Sequence, residues 1–165
     1  MSNIAADAIL GFQDLLARVP DLVQPLVVAL AGAVPFIEGE GAATIGIIGG
    51  INPVIAAVSG AIGNFLCVAL LVLLGAGVRS AVTKGRTPRA SARREKFQRA
   101  FTRYGVPGVS LLGPLLLPTH FTAVMLAGAG VAKGRVLLWQ GVAIVLWTTA
   151  LTVVVSLAVG GAGLA

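Results

Sequence analysis

This chain of 165 residues holds one cysteine, one histidine and one tyrosine, and only 11% of its residues are charged. Each scarcity excludes something. Cys67 stands alone in an apolar run, so no intrachain disulfide can form, and no C-x-x-C or Cys/His set is present to hold a structural metal. One His, one Cys and a few carboxylates do not assemble into a nucleophile–base pair or a ligand set. No enzyme is therefore expected, and no cofactor is called for. An average soluble domain is about 25% charged, and this chain falls far below that. The N-terminus lacks a basic segment ahead of an apolar one and carries Asp7 and Asp14 instead, so a cleavable signal peptide is not expected.

What the chain has in quantity is apolar surface. It is 57% hydrophobic, with runs longer than about 18 residues, the composition of a single-domain integral membrane protein. The net charge of +6 is concentrated, since nine of the twelve Lys and Arg residues lie between Arg79 and Arg103. A basic cluster beside membrane spans reads as a cytoplasmic loop over residues 79–104 rather than a nucleic-acid surface. The expected location is therefore the plasma (inner) membrane, multi-pass, with membrane lipids as partners and no nucleic acid.

Taken in order, Ile4, Ala8, Phe12, Leu15 and Val19 form one stripe of an amphipathic helix over 3–19, which Pro20 ends. Such a helix suits the membrane surface or the side of a bundle. Leu22 to Val34 is apolar but spans only about 20 Å at about 1.5 Å per residue, short of a hydrocarbon core of about 30 Å. The stretch P-F-I-E-G-E-G from Pro35 to Gly41 then interrupts it, and a second short piece runs from Ala42 to Ile51. Residues 22–51 thus read as a re-entrant, broken hairpin, with one continuous but kinked span as the alternative. Residues 53–78 are long enough to cross, with Asn52 as cap and Pro53 in the first turn. Ala56, Gly60 and Asn64 give that helix a smooth face with one polar group.

Within the basic loop, Phe97, Phe101 and Tyr104 share one face of a predicted amphipathic helix opened by Thr87-Pro88 and closed by Gly105. Arg93, Arg94, Lys96, Arg99 and Arg103 occupy much of the rest. It reads either as a solvated topogenic loop or as a landing site for anionic lipid headgroups. The first pattern then returns: a short broken piece over 106–131, interrupted by Pro107, Gly113, Pro114 and Pro118-Thr119-His120, followed by a long span over 136–159. The fold class expected is all-α, with two inverted repeats, each a re-entrant hairpin followed by a full transmembrane helix.

The ionisable groups beside the two breaks are where chemistry is expected. A carboxyl at membrane depth costs about 2.5 to 3.5 kcal/mol on insertion scales, so it is kept for a substrate or ion path or is held by a helix N-terminus. Glu38 is the first choice and Glu40 the second. His120, the only histidine, belongs to the one side-chain type that ordinarily changes charge near neutral pH, and it sits at the other break. The expectation is that the two breaks meet near the midplane with Glu38 or Glu40 within reach of His120. Thr119 and Thr122 are candidate hydroxyl ligands, with backbone bonding as the commoner role for such residues, and Asn64, a polar contact between helices, joins Glu38, Glu40, His120 and Thr119 in the expected substrate- or proton-binding set.

P-F-I-E at Pro35 to Glu38, followed by Gly41-Ala42 and Gly63-Asn64, resembles the small multidrug export proteins, a family related to the DedA (VTT-domain) membrane proteins. F-T-R-Y-G-V from Phe101, the proline-containing hairpin after it and Ala127-Gly128 are similar to the second half of that pattern. The resemblance covers about residues 30 to 160 and implies inverted re-entrant hairpins and a transport role, with DedA relatives linked to proton-dependent movement of lipid carriers. This chain departs by placing Gly39 and Glu40 where the export family has leucine and arginine, and His120 where DedA proteins carry arginines. An arginine pair suits phosphate, so these departures favour a cationic substrate or a proton. The expected function is proton-coupled export of a small cationic or amphipathic substrate. A lipid flippase or scramblase and a non-transporting structural or assembly protein are the alternatives, and a pathway completed as a homodimer stays open.

Overall fold

The computed structural model describes residues 4–82 and 104–161. Every regular element among them is helical. These are α1 (Ile4–Arg18), α2 (Gln24–Gly32), α3 (Glu38–Ile48), α4 (Pro53–Val82), α5 (104–112), α6 (Thr119–Gly128) and α7 (Lys133–Gly161), with a 3-10 turn at Gly113–Leu115 between α5 and α6. The predicted basic helix, with Arg93, Arg94, Lys96, Arg99 and Arg103, lies outside the described residues.

The chain divides into two compact units, residues 1–66 with 144–165, and residues 67–143. The first holds α1, α2, α3, the start of α4 and the end of α7. Val27, Val28 and Ala31 of α2, Ala42, Ile45 and Ile47 of α3, and Ala56 of α4 are its buried core, onto which α1 lays Phe12 and Leu16 and α7 lays Val155 and Val159. Of the predicted stripe, Ala8, Phe12 and Val19 pack against the bundle, whereas Leu15 is 40% exposed and its neighbour Leu16 takes the buried place; Asp14 and Arg18 pair at 2.8 Å in the open. An exposed pair of this kind contributes well under about 1 kcal/mol, so burial of Phe12 and Leu16 holds α1 in place.

Close approach of the backbones sets the rest of this unit. A Cβ on Gly63 of α4 would run into the carbonyl oxygen of Ala29 on α2, and one on Gly60 would lie 2.7 Å from the carbonyl oxygen of Gly39 on α3. The smooth face read from Ala56, Gly60 and Asn64 is the surface on which α2 and α3 lie, with Asn64 fully buried. Asn52 caps α4 as expected, its Oδ1 accepting from the Val54 amide at 2.9 Å.

α4 over Pro53–Leu74 and α7 are each long and apolar enough to span a membrane. Their outward faces carry large apolar side chains such as Val54, Leu66, Leu70, Leu138, Val145 and Leu157, the last 71% exposed. Water disfavours so much apolar surface, whereas lipid accommodates it.

The turns that follow the two short helix pairs are alike in detail. Gly50 takes φ +85° and Gly130, 80 residues later, takes φ +89°. The Ile51 amide donates to the Gly46 carbonyl at 2.9 Å, and the Val131 amide to that of Leu126 at 3.2 Å. The Gly50 amide donates to Ile47 at 3.0 Å and that of Gly130 to Ala127 at 3.2 Å. The same shift carries α2 onto α5 and the first residue of α4 onto that of α7.

Candidate functional site

The expected break over Pro35 to Gly41 is shorter than the sequence implied. Helix α2 ends at Gly32, and α3 begins at Glu38 and runs through Gly39, Glu40 and Gly41. Gly39, which reads as a helix breaker, is there for packing. A Cβ on Gly39 would meet Thr148 Oγ1 of α7, and the Ala61 Cα of α4 lies 3.4 Å from that position. Glycine tolerates helical dihedrals at a cost of about 1 kcal/mol, which is less than the clash it avoids.

The strain falls one turn earlier. Phe36 and Glu38 are the only non-glycine residues with positive φ among those described, at 74° and 56°. Each left-handed residue costs about 1–2 kcal/mol, and two within three positions mark a backbone held by its surroundings. The hold is visible: the amides of Ile37 and Glu38 both donate to the Val34 carbonyl, at 3.2 and 3.1 Å, and Ile37 is buried in the core. This turn points Phe36 outward, 69% exposed, and takes Glu38 inward, 4% exposed. Glu38 therefore opens α3 as a buried carboxyl in its first turn, where free amides favour negative charge. Glu40 is half-buried one residue beyond Gly39, and its backbone carbonyl accepts from Thr44 Oγ1 at 2.8 Å.

The second unit carries the other predicted residues. The sequence placed a break at Pro118-Thr119-His120; instead the interruption is the 3-10 turn and the residues up to Pro118, and α6 starts at Thr119. Pro118 sits at the N-cap with φ −52° and ψ 143°. Its ring forbids continuation from the preceding turn but suits the start of a helix. Thr119 and His120 are both buried in the first turn of α6. Thr122 Oγ1 donates to the Pro118 carbonyl at 3.3 Å, and its side chain fills the space beside Gly113. Backbone bonding is thus what this threonine does. Glu38, Glu40 and Asn64 belong to the first unit, Thr119 and His120 to the second.

The sequence reading passed over buried polar groups on α7. Gln140 in the second unit, and Thr148 and Thr152 in the first, are buried, and the Ser156 hydroxyl is enclosed too. Among the described residues none of these side-chain groups has a hydrogen-bond partner. Their spacing by multiples of four along an otherwise apolar span was the available signal.

Among the described residues the arrangement is all-helical, with two membrane-capable helices and two interrupted pairs of short ones. No protein-family model, curated protein or solved structure matches it.

Proposed function

We propose that this chain is a small multi-pass membrane transporter, in which Glu38 takes up and releases a proton as a small cationic or amphipathic substrate crosses. The observation that carries the reading is Glu38 itself, a buried carboxyl delivered by a strained left-handed turn between two helices too short to span. At about 1.5 Å per residue, α2 and α3 are about 14 and 17 Å long. A pair of that length, hinged at a buried carboxyl, supports a re-entrant hairpin, and interrupted helices at membrane depth are tolerated where they line a path. The turn that recurs 80 residues on, from Gly50 to Gly130, supports two structural repeats. With residues 79–104 on the cytoplasmic side, α4 and α7 run in opposite directions and the repeats are inverted.

The absence of an arginine beside Glu38, and the presence of a second carboxyl at Glu40, supports a cation over a phosphate-bearing lipid. The test is reconstitution into vesicles of clamped internal pH, with a panel of organic cations and a fluorescent phospholipid. Uptake of a cation driven by the pH gradient, and its loss in Glu38→Gln, is the expected result. Phospholipid transfer without a pH gradient would replace this reading with a scramblase, and no transfer of any kind would replace it with a structural role.

A further inference from the structure

The hydroxyls of Thr148, Thr152 and Ser156 lie on one side of α7, each four residues from the next, and all three are enclosed. Thr148 is the residue whose Oγ1 closes on Gly39, next to Glu38. Thr148 is 1% and Thr152 9% exposed. A threonine inside a helix commonly donates to the carbonyl four residues back, yet none of these three oxygens has a partner among the described residues. A buried hydroxyl left unmade costs about 1–3 kcal/mol, so three in a row ask for a common explanation.

The spacing supplies one. Four residues of helix rise about 6 Å, too far for one hydroxyl to reach the next at about 2.8 Å, and a distance that a bridge of one or two waters spans. Resting on the reading of Glu38 as the proton-carrying group, the geometry points to a water file along α7. In it Thr148, Thr152 and Ser156 hydrogen-bond the waters that pass protons between Glu38 and the Gly161 end of that helix. Protons move along it by exchange between neighbouring hydrogen bonds: a water donates to the next oxygen and accepts from the one behind, with no net chemistry. Other ionisable groups do not compete within this unit. Asp7, Asp14 and Arg18 of α1 and Asp21 after it are exposed, and Glu40 is half-buried on the same helix as Glu38. Val155 and Val159, beside these hydroxyls on α7, pack against the apolar core of the unit, which bounds the file on that side.

Two measurements on the full-length protein in vesicles test this. The first does not depend on transport. In a Cys67→Ser background, Thr148→Cys, Thr152→Cys and Ser156→Cys are exposed to silver ion, which reaches a thiolate only through water, and are compared with lipid-facing Val153→Cys and Leu157→Cys. Labelling of the three should be about tenfold faster, the effect of one unit of thiol pKa between a wet and a dry site. Equal rates overturn the water file. The second is pH-gradient-driven uptake by Thr148→Val and Thr152→Val, which keep the side-chain shape and remove the hydroxyl. A slowing of about tenfold is expected if each bridge is worth about 1.4 kcal/mol, with recovery in Thr148→Ser. Unchanged uptake in variants of undiminished thermal stability overturns the proton route. Loss of transport in Glu38→Gln with silver labelling intact belongs to the expected pattern, whereas transport surviving Glu38→Gln removes the earlier reading and leaves the labelling result to decide the file by itself.

Discussion

Glu38 owes its burial to its neighbours more than to its own chemistry. Phe36 and Glu38 accept left-handed dihedrals because Val34 takes the two amides that follow and Ile37 is anchored in the core. Substituting Phe36→Gly should relieve part of that strain and raise stability by about 0.5–1 kcal/mol, read as a higher unfolding midpoint by tryptophan fluorescence in detergent. Gly39 makes the complementary argument. A methyl there must push against Thr148 Oγ1, whose β-branched side chain has one stiff torsion, while the backbone at Ala61 stays in ordinary contact. Gly39→Ala should lose about 1–3 kcal/mol, and Thr148→Ala in the same molecule should recover most of it. Additive losses in the double variant would show that the two residues do not press on one another.

At the scale of elements, the short helices are defined by where they stop. Gly50 and Gly130 each end one with a left-handed residue that has open space around it, so only the backbone penalty separates glycine from alanine there. Gly50→Ala and Gly130→Ala should therefore destabilise equally, by about 1 kcal/mol each, in thermal melts. A much larger loss at one would mean that the two turns are alike in shape but not in what they support. The entry to α4 is a separate case. Asn52 accepts from the Val54 amide, and Asn52→Ala should cost about 1 kcal/mol, with Asn52→Asp or Asn52→Ser close to neutral. Far stronger is the constraint at Gly63, where the Ala29 carbonyl leaves no room for a side chain. Gly63→Leu should abolish the folded yield, because backbone rather than a flexible side chain would have to move.

At the scale of the whole molecule, the outward apolar faces of α4 and α7 set the expectation for where the protein resides. It should stay with membranes after alkaline carbonate extraction. Arginine at Leu66 or Leu157, both on those faces, should cut stable insertion by about 2.5–3.5 kcal/mol if at bilayer depth. Release of the wild-type chain into the carbonate supernatant would count against a spanning fold.

Much of this was written in the order of residues. Apolar runs around Asn52-Pro53 and Lys133 dictate long spans, because only a helix satisfies every backbone group in lipid. The stripe of Ile4, Ala8 and Phe12 dictates an amphipathic first helix, and Pro35 and Pro118 favour interrupted short pieces, although a kinked continuous span over 22–51 stayed open until the fold showed α2 and α3 as separate helices. Glu38 stood out for being charged in apolar surroundings. What the order of residues left undetermined was how glycines are used. Gly39 and Gly41 read as a break, yet both lie within a helix, and for Gly39 the close approach of Gly60, Ala61 and Thr148 gives the reason. In the same way Thr148 and Thr152 looked like ordinary span residues until the fold enclosed them. Local sequence fixes which segments can be helical in a bilayer, since that depends on each segment's own hydrogen bonds and hydropathy. Which small residues are contacts and which hydroxyls are buried depends on atoms far along the chain, and only the tertiary structure brings those together.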